Sequence, residues 1–403
     1  MNVLLLSIGN LKDVNQHEIY TDLLREFRNN GHSVYAVSTY EKRVNKNTEF
    51  KNEHGINMLR VKIGNITKCG IIEKGFSTIT LQSKFKKAIK KYLSDVTFDL
   101  VLYSTPPITL CNVVEFVKNR DGAHTYLMLK DIFPQNALDI GVLSHSGLKG
   151  LIYKYFRLKE KKLYRISDTI GCMSQANIEY LLKHNHYIPS NKVSLCPNCI
   201  EVQNFVNSQD EIIEMRNKYG LPTDKRIYVY GGNLGKPQGI PFIIDCLKTQ
   251  SENRDAYFLI VGNGSEYNRL ESFFKQHKYD NMRLMKALPK DDYDRMVAAC
   301  DIGLLFLDYR FTIPNYPSRM LAYMQVGLPV LACTDEVTDV GKTITEGDFG
   351  WWCPSNSPDE FAKLIDKTLT CPLEAMKKNS FKVLEEQFDV SRAYNLIMSR
   401  LKQ

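Results

Sequence analysis

Short apolar runs alternate with helical segments along this chain, and the alternation runs its course once and then restarts. NVLLLSIGN opens as a strand and loop, IYTDLLREFRNNGH follows as a helix, and SVYAVST is a second strand. Ile19, Leu23, Leu24 and Phe27 recur at helical spacing, and Gly31 ends the helix. DLVLYST (99–105), TYLMLKD (125–131), DTIGCMS (168–174) and KVSLCPN (192–198) continue the series. The pattern then restarts with RIYVYGGNLG (226–235), PFIIDCLKTQ (241–250) and YFLIVGNG (257–264). RLMKALPK (283–290), DIGLLFL (301–307) and LPVLAC (328–333) complete it. Such alternation predicts α/β structure, a parallel sheet with helices on both faces. At 403 residues the chain is too long for one core. Two doubly wound, Rossmann-like domains are expected, 1–205 and 206–387, facing across a cleft. The join falls in NCIEVQNFVNSQDE, and a last helix within 388–403 packs back on the first domain.

Composition narrows the function classes. The apolar runs Val3–Ile8, Phe258–Val261 and Ile302–Leu307 fall far short of the ~20 residues of a bilayer span. The start lacks a basic segment and runs straight into a strand pattern, so it reads as no signal peptide, and a cytoplasmic location is expected. CPNC (196–199) closes a strand instead of opening a helix, and no second CxxC exists to complete a zinc site. The ten cysteines therefore read as reduced thiols. The net charge of +8 is uneven: SKFKKAIKKYL (83–93) is basic, and Gly147–Arg165 carries seven Lys or Arg against one Glu. In the latter, Leu148, Ile152, Tyr155 and Leu163 share a helical face, with lysines mostly on the other. That pattern fits an ordinary surface helix or a basic amphipathic helix resting on an anionic membrane. Nucleic acid is not expected, because the aromatics follow the core pattern instead of lying among exposed lysines.

Ligands of doubly wound sheets bind at the carboxyl ends of the strands. In the second half those ends carry GGNLGKPQG (231–239), GNG (262–264), MKALP (285–289) and PNYPSRM (314–320). Gly231, Gly232 and Gly235 are expected to let backbone approach an anion, ahead of a helix N-terminus, with Lys236 adding charge. The spacing is neither GxGxxG nor a Walker A loop. Pro317 suits the first turn of a second helix, whose free N–H groups at Ser318, Arg319 and Met320 should face outward beside the Arg319 guanidinium. Two cationic helix mouths suit a diphosphate.

VYGGNLGKPQGI, LIVGNGSE, the ALP stretch and YPSRMLAYMQVGLPVLA, in this order and spacing, resemble the nucleotide-sugar half of a family 4 glycosyltransferase of GT-B fold. NNGHSVYAVS, LKDIFPQNA, SDTIGCMS and SLCPNCIEV extend the resemblance over the first half. The chain is similar to bacterial O-antigen and capsule enzymes that transfer aminodeoxy sugars such as N-acetyl-L-fucosamine. The resemblance implies retaining transfer from a nucleoside-diphosphate sugar, UDP-linked, to a polyprenyl-diphosphate-linked glycan at the inner face of the cytoplasmic membrane, without a cofactor.

By the same resemblance, Lys236 and Arg319 stabilise the leaving diphosphate, and Asp131 orients or deprotonates the acceptor. Gly232, Asn233, Gln238, Gly262, Asn263, Lys286, Leu288, Asn315, Ser318 and Met320 contact the donor. Asn10 and His17 lie on the acceptor side. No metal is expected, since the one DxD, Asp292–Asp294, reads as helix N-terminal acids. The family's Glu-x7-Glu pair is replaced by Pro314 and Ala322. A sugar-nucleotide 2-epimerase of the same fold, or a non-catalytic partner subunit, is the alternative.

Overall fold

A computed structural model describes residues 1–9, 11–66, 69–203 and 208–401. The chain forms two compact units, Met1–Glu201 with Asp389–Gln403, and Val202–Phe388. The sequence reading placed these divisions at 205/206 and 387/388. Glu201 stays with the first unit because its amide donates to the Asp22 carboxylate and its own carboxylate accepts from Arg25.

In the first unit β1 (Asn2–Leu6), β2 (Ser33–Glu41), β3 (Glu49–Glu53), β4 (Ile56–Ile63), β5 (Leu100–Ser104), β6 (His124–Leu129), β7 (Thr169–Cys172) and β8 (Val193–Leu195) form one sheet in the order β3-β4-β2-β1-β5-β6-β7-β8. All pairings are parallel except β3 with β4. Val3 to Leu6 of β1 are fully buried, as a central strand covered on both faces requires. The helix Ile19–Asn29 lays Leu23, Leu24 and Phe27 on this sheet. The final helix, Val390–Leu401, adds Val390, Ala393 and Ile397 to the same core, and its Tyr394 hydroxyl meets His32 Nε2 at 3.0 Å. The last helix thus belongs to the first unit.

The second unit holds β9 (Arg226–Asn233), β10 (Ala256–Asn263), β11 (Met282–Met285), β12 (Ile302–Phe306), β13 (Val330–Thr334) and β14 (Gly350–Pro354), all parallel, in the order β11-β10-β9-β12-β13-β14. The chain winds outward from β9 to β11, then returns to the other side of β9 for β12. The switch point of this sheet therefore lies between β9 and β12, where such folds bind ligands.

Three strands lay outside the sequence reading. β3 is EFKNE, a mostly exposed edge strand without apolar alternation, joined to β4 through His54 and Gly55 at φ 49° and 83°. β4 is almost wholly buried, and β14 carries Trp351 and Cys353 into the core of the second unit. Among the described residues no helix is long and apolar enough to cross a membrane.

Candidate functional site

At the switch point of the second unit, one guanidinium is held by three phenols. Arg319 starts the short helix Arg319–Gln325 in the connection that follows β12. Its guanidinium carbon lies 4.3 Å from the centre of the Tyr230 ring at the end of β9, a favourable cation–π distance. Tyr323, one turn along the same helix, accepts a hydrogen bond from the Gly231 amide at 3.2 Å and donates to the Leu304 carbonyl at 3.0 Å. Tyr293 comes from the helix Lys290–Ala298 and is hydrogen-bonded to Tyr323. Burial raises the pKa of all three phenols, so they stay protonated. Among the described residues no carboxylate pairs with Arg319, and its Nε is buried without a hydrogen-bond partner. Four residues earlier, the Asn315 Nδ2 is also buried and without a partner, while the Asn315 carbonyl accepts from the Thr338 hydroxyl. Buried donors are normally satisfied. Two unfilled donors and an uncompensated cation at a sheet's switch point fit a polar anion.

The glycines of the β9 turn serve a different purpose from the one expected. A methyl on Gly231 would fall 1.8 Å from the Tyr293 hydroxyl, and one on Gly232, at φ 121°, would fall 3.2 Å from the Arg319 Nη2. Gly231 makes room for the tyrosine, and Gly232 for the guanidinium. Gly235 lies against Asn233 and Gln238, whose Oε1 accepts from the Asn233 side chain and the Gly235 amide, both at 3.1 Å. Gln238 is therefore a buried brace of the loop, and Asn233 is tied to it. Gly262 of β10 packs so tightly on β9 that a methyl there would sit 1.9 Å from the Gly232 carbonyl oxygen. The neighbouring Asn263 is exposed and its carbonyl accepts from the Leu234 amide.

Two helix mouths were expected, and the structure corrects both. Lys236 to Gln238 form a single 3-10 turn, in which the Gln238 and Gly239 amides already donate to Gly235 and Lys236. The regular helix begins only at Ile240. The exposed Lys236 thus acts as a side-chain charge on a loop, without a helix N-terminus behind it. In the other turn the Met320 amide donates to the Pro317 carbonyl at 3.3 Å, and the Met320 side chain is fully buried. Met320 is a core residue with no free N–H, whereas Ser318 is exposed. Lys286 and Leu288 lie in the loop after β11, which β10 separates from β9. The structure does not bring them to Arg319. Pro314 is buried, and Ala322 lies on the short helix.

In the first unit Asp131 follows β6. Its backbone is pinned by Thr105, whose hydroxyl donates to the Asp131 carbonyl at 2.9 Å. Burial pushes the Asp131 carboxyl up to about 6, against the pull of Lys130. Lys130 in turn has its Nζ 4.0 Å from the centre of the Tyr20 ring, and the Tyr20 hydroxyl is 2.6 Å from Ser104 Oγ. Asn10 lies outside the described residues. His17 is held in a network: its Nδ1 is 3.1 Å from Arg25 Nη2, which also reaches Asp22 Oδ1 at 2.5 Å and Glu201 Oε2 at 2.7 Å. His17, Asp22 and Glu201 have the spacing of a metal triad. The Arg25 guanidinium, within hydrogen-bond reach of all three, supplies the cation there. Asp292 pairs with Lys218 and Asp294 with Lys290, so the DxD acids are engaged in ion pairs on their own helix and its neighbour. Cys196 and Cys199 are buried thiols, and burial raises both above the ordinary range.

Tyr230, Tyr293 and Tyr323 escaped the sequence reading. The signal for them is glycine inside strands. A methyl on Gly303 of β12 would sit 2.4 Å from the Tyr323 ring, just as Gly231 accommodates Tyr293. A strand glycine marks close approach of another group.

Residues 211–383 match the family described as Glycosyl transferases group 1. The "Probable glycosyltransferase WbjE" of Pseudomonas aeruginosa is 25% identical over 292 residues, 72% of this chain and 71% of that protein. An Escherichia coli protein named UDP-Gal:alpha-D-GlcNAc-diphosphoundecaprenol alpha-1,3-galactosyltransferase is 21% identical over 256 residues, 61% of this chain and 62% of its own length. Among solved structures, Anabaena Alr3699/HepE in complex with UDP and glucose superposes with a TM-score of 0.72 at 15% identity, covering 100% of this chain and 99% of that one. The fold is GT-B.

Proposed function

We propose that this chain, whose residues 211–383 match the group 1 glycosyltransferases, moves a sugar from a UDP-linked donor to a polyprenyl-diphosphate-linked glycan in bacterial O-antigen or capsule synthesis. The observation that carries the reading is Arg319, a cation without a counterion among the described residues, with a buried, unpartnered Nε at the switch point of the second sheet. A diphosphate fills that vacancy in charge and in hydrogen bonding. As the bond from the anomeric carbon to the diphosphate breaks, negative charge grows on the leaving oxygens. Arg319 stabilises it from a fixed position, and Lys236 from a mobile one. Asn315 and Ser318 add neutral donors. Asp131, in the first unit, is assigned the acceptor hydroxyl: with a pKa of about 6 it is ionised at neutral pH and basic enough to take a proton.

The UDP assignment is supported by the UDP-bound relative in fold, and the lipid-linked acceptor by the name of the E. coli relative. Retention, independence of metal, an aminodeoxy donor such as N-acetyl-L-fucosamine, and a place at the inner membrane surface complete the proposal. With Pro314 and Ala322 in place of the carboxylate pair, the ribose and sugar are held by other groups, and Asn315 is the first candidate.

A panel of UDP- and dTDP-sugars, with and without a polyprenyl-diphosphate-sugar and with EDTA throughout, tests this. UDP release that requires the acceptor and withstands chelation is expected. Isomerised donor without acceptor identifies an epimerase. UDP binding with no turnover identifies a non-catalytic partner. Activity that vanishes in EDTA and returns with magnesium or manganese overturns the metal-free mechanism.

A further inference from the structure

The helix Gly147–Ile166 of the first unit presents two apolar faces. The inner one is made by Gly150, Leu163 and Tyr164, with the acid Glu160 buried among them. Gly150 packs so closely that a methyl there would lie 2.5 Å from the His145 carbonyl oxygen. The sequence pattern grouped Leu148, Ile152 and Tyr155 with Leu163, but the structure separates them. Leu163 is fully buried, while Leu148 is 75% exposed, and Leu151 and Leu158, at 64% and 68%, join it outside. Ile152 and Tyr155 are exposed as well, and so is Val142 just ahead of the helix. Positions 148, 151, 155 and 158 follow one another by three or four residues, and 152 lies four after 148 and three before 155, so they form a single outward stripe. Contiguous exposed apolar surface of this kind marks an interaction site.

The charges around the stripe select its partner. Glu160 is the helix's one acid, and it is buried in an ion pair with Arg157 and accepts from the Tyr164 hydroxyl at 2.8 Å. The outward surface of the helix is therefore apolar and cationic only. Lys149 and Lys154 are exposed beside the stripe, and Lys159 Nζ stands 5.5 Å from the Tyr155 ring centre. Lys162 is drawn aside to Glu115 at 2.7 Å. We propose that this stripe inserts into an anionic bilayer, with the leucines entering the acyl boundary and the lysines reaching the headgroups. Lysine stems allow that geometry. Weak apolar insertion and weak electrostatic attraction together give reversible attachment, where either one is marginal. For its purpose the inference rests on the membrane-held acceptor of the proposed reaction.

Sedimentation with vesicles of phosphatidylglycerol and phosphatidylcholine tests it, alongside UDP calorimetry on the same preparations. The wild type is expected to co-sediment at low salt and to remain partly bound at high salt. Leu148→Ser/Leu151→Ser/Leu158→Ser should lower partitioning by ~1,000-fold, about tenfold per leucine. Lys149→Glu/Lys154→Glu should weaken it ~10-fold at low salt and little at high salt. Both variants should bind UDP as the wild type does, since all five residues belong to the first unit. A wild type that stays in the supernatant at low salt overturns the proposal, as does a leucine variant that binds like wild type. A concentration-dependent dimer that the leucine substitutions dissolve, without vesicle binding, overturns it in favour of a second copy. Vesicle binding without any UDP or UDP-sugar binding leaves the membrane surface standing and sinks the transferase site instead.

Discussion

Each unit holds an arginine near the carboxyl ends of its strands, Arg25 buried and Arg319 half-buried with its Nε enclosed, and the two are supplied with partners in opposite ways. Arg25 meets Asp22, Glu201, His17 and the Val14 carbonyl within its own unit. Its charge is consumed internally, and what it contributes is structure: it joins the loop after β1 to the end of the unit at Glu201. Arg319 has ring faces and neutral hydroxyls around it, no carboxylate among the described residues, and a buried N–H left over. Burying a cation this way costs free energy unless something outside repays it. A charge with counterions reads as architecture, and one without them reads as a binding site.

Exchanging each arginine for alanine should split the two roles, and this carries the largest effects. Arg25→Ala leaves the buried Asp22 carboxylate, whose pKa burial already raises, without its main cation. A loss of ~3–5 kcal/mol in denaturant unfolding is expected, with UDP affinity unchanged. Arg319→Ala should leave stability within ~1 kcal/mol and weaken UDP binding by ~1.5–3 kcal/mol in calorimetry. The comparison breaks if Arg319→Ala unfolds the protein or if Arg25→Ala loses UDP.

Asp131 sharpens it next, as an anion whose charged helper among the described residues is Lys130. Its carboxyl, ordinarily near 3.8, is pushed up to about 6 by burial. The folded state therefore holds its proton more tightly than the unfolded chain, and ionisation opposes folding. Stability from this group should fall as pH rises from about 4 to about 6, and Asp131→Asn should remove that slope. As the acceptor's base the ionised form is the active one. kcat/KM should rise with pH through about 6, and Asp131→Asn should cut kcat ~100-fold and erase the rise. A flat pH profile in the wild type would assign Asp131 to the fold alone.

The smallest effect belongs to the support of Arg319. Tyr293→Phe keeps the ring under Gly231 and deletes the hydroxyl bonded to Tyr323. UDP affinity should drop by ~0.5–1 kcal/mol. No change in affinity would mean that ring packing alone positions the guanidinium.

How far the sequence could be read depended on the range of the signal. The central strands were legible because a strand buried on both faces must be a continuous apolar run, as in VLLL of β1 or IGLLF of β12. The edge strand β3 was not, since exposure removes the pattern. Arg319 and Lys236 were legible as anion-seeking groups, being cations in turns after strands. Their reasons were partly misread. Gly231 and Gly232 admit a tyrosine and an arginine, and the Gln238, Gly239 and Met320 amides are already occupied within their turns.

The alternation of apolar runs and helices, with its restart near residue 226, determined two sheets that are parallel throughout their centres and hence where ligands bind, because backbone hydrogen bonding and apolar burial follow local periodicity. Tertiary structure alone decided which charges are free. Asp22 and Glu201 are 179 residues apart along the chain and share one guanidinium. Tyr230, Tyr293 and Tyr323 come from a strand and two helices to surround another. It also decided that Leu148, Leu151 and Leu158 face outward, since a helix with apolar residues on two sides can bury only the face that fits its neighbours.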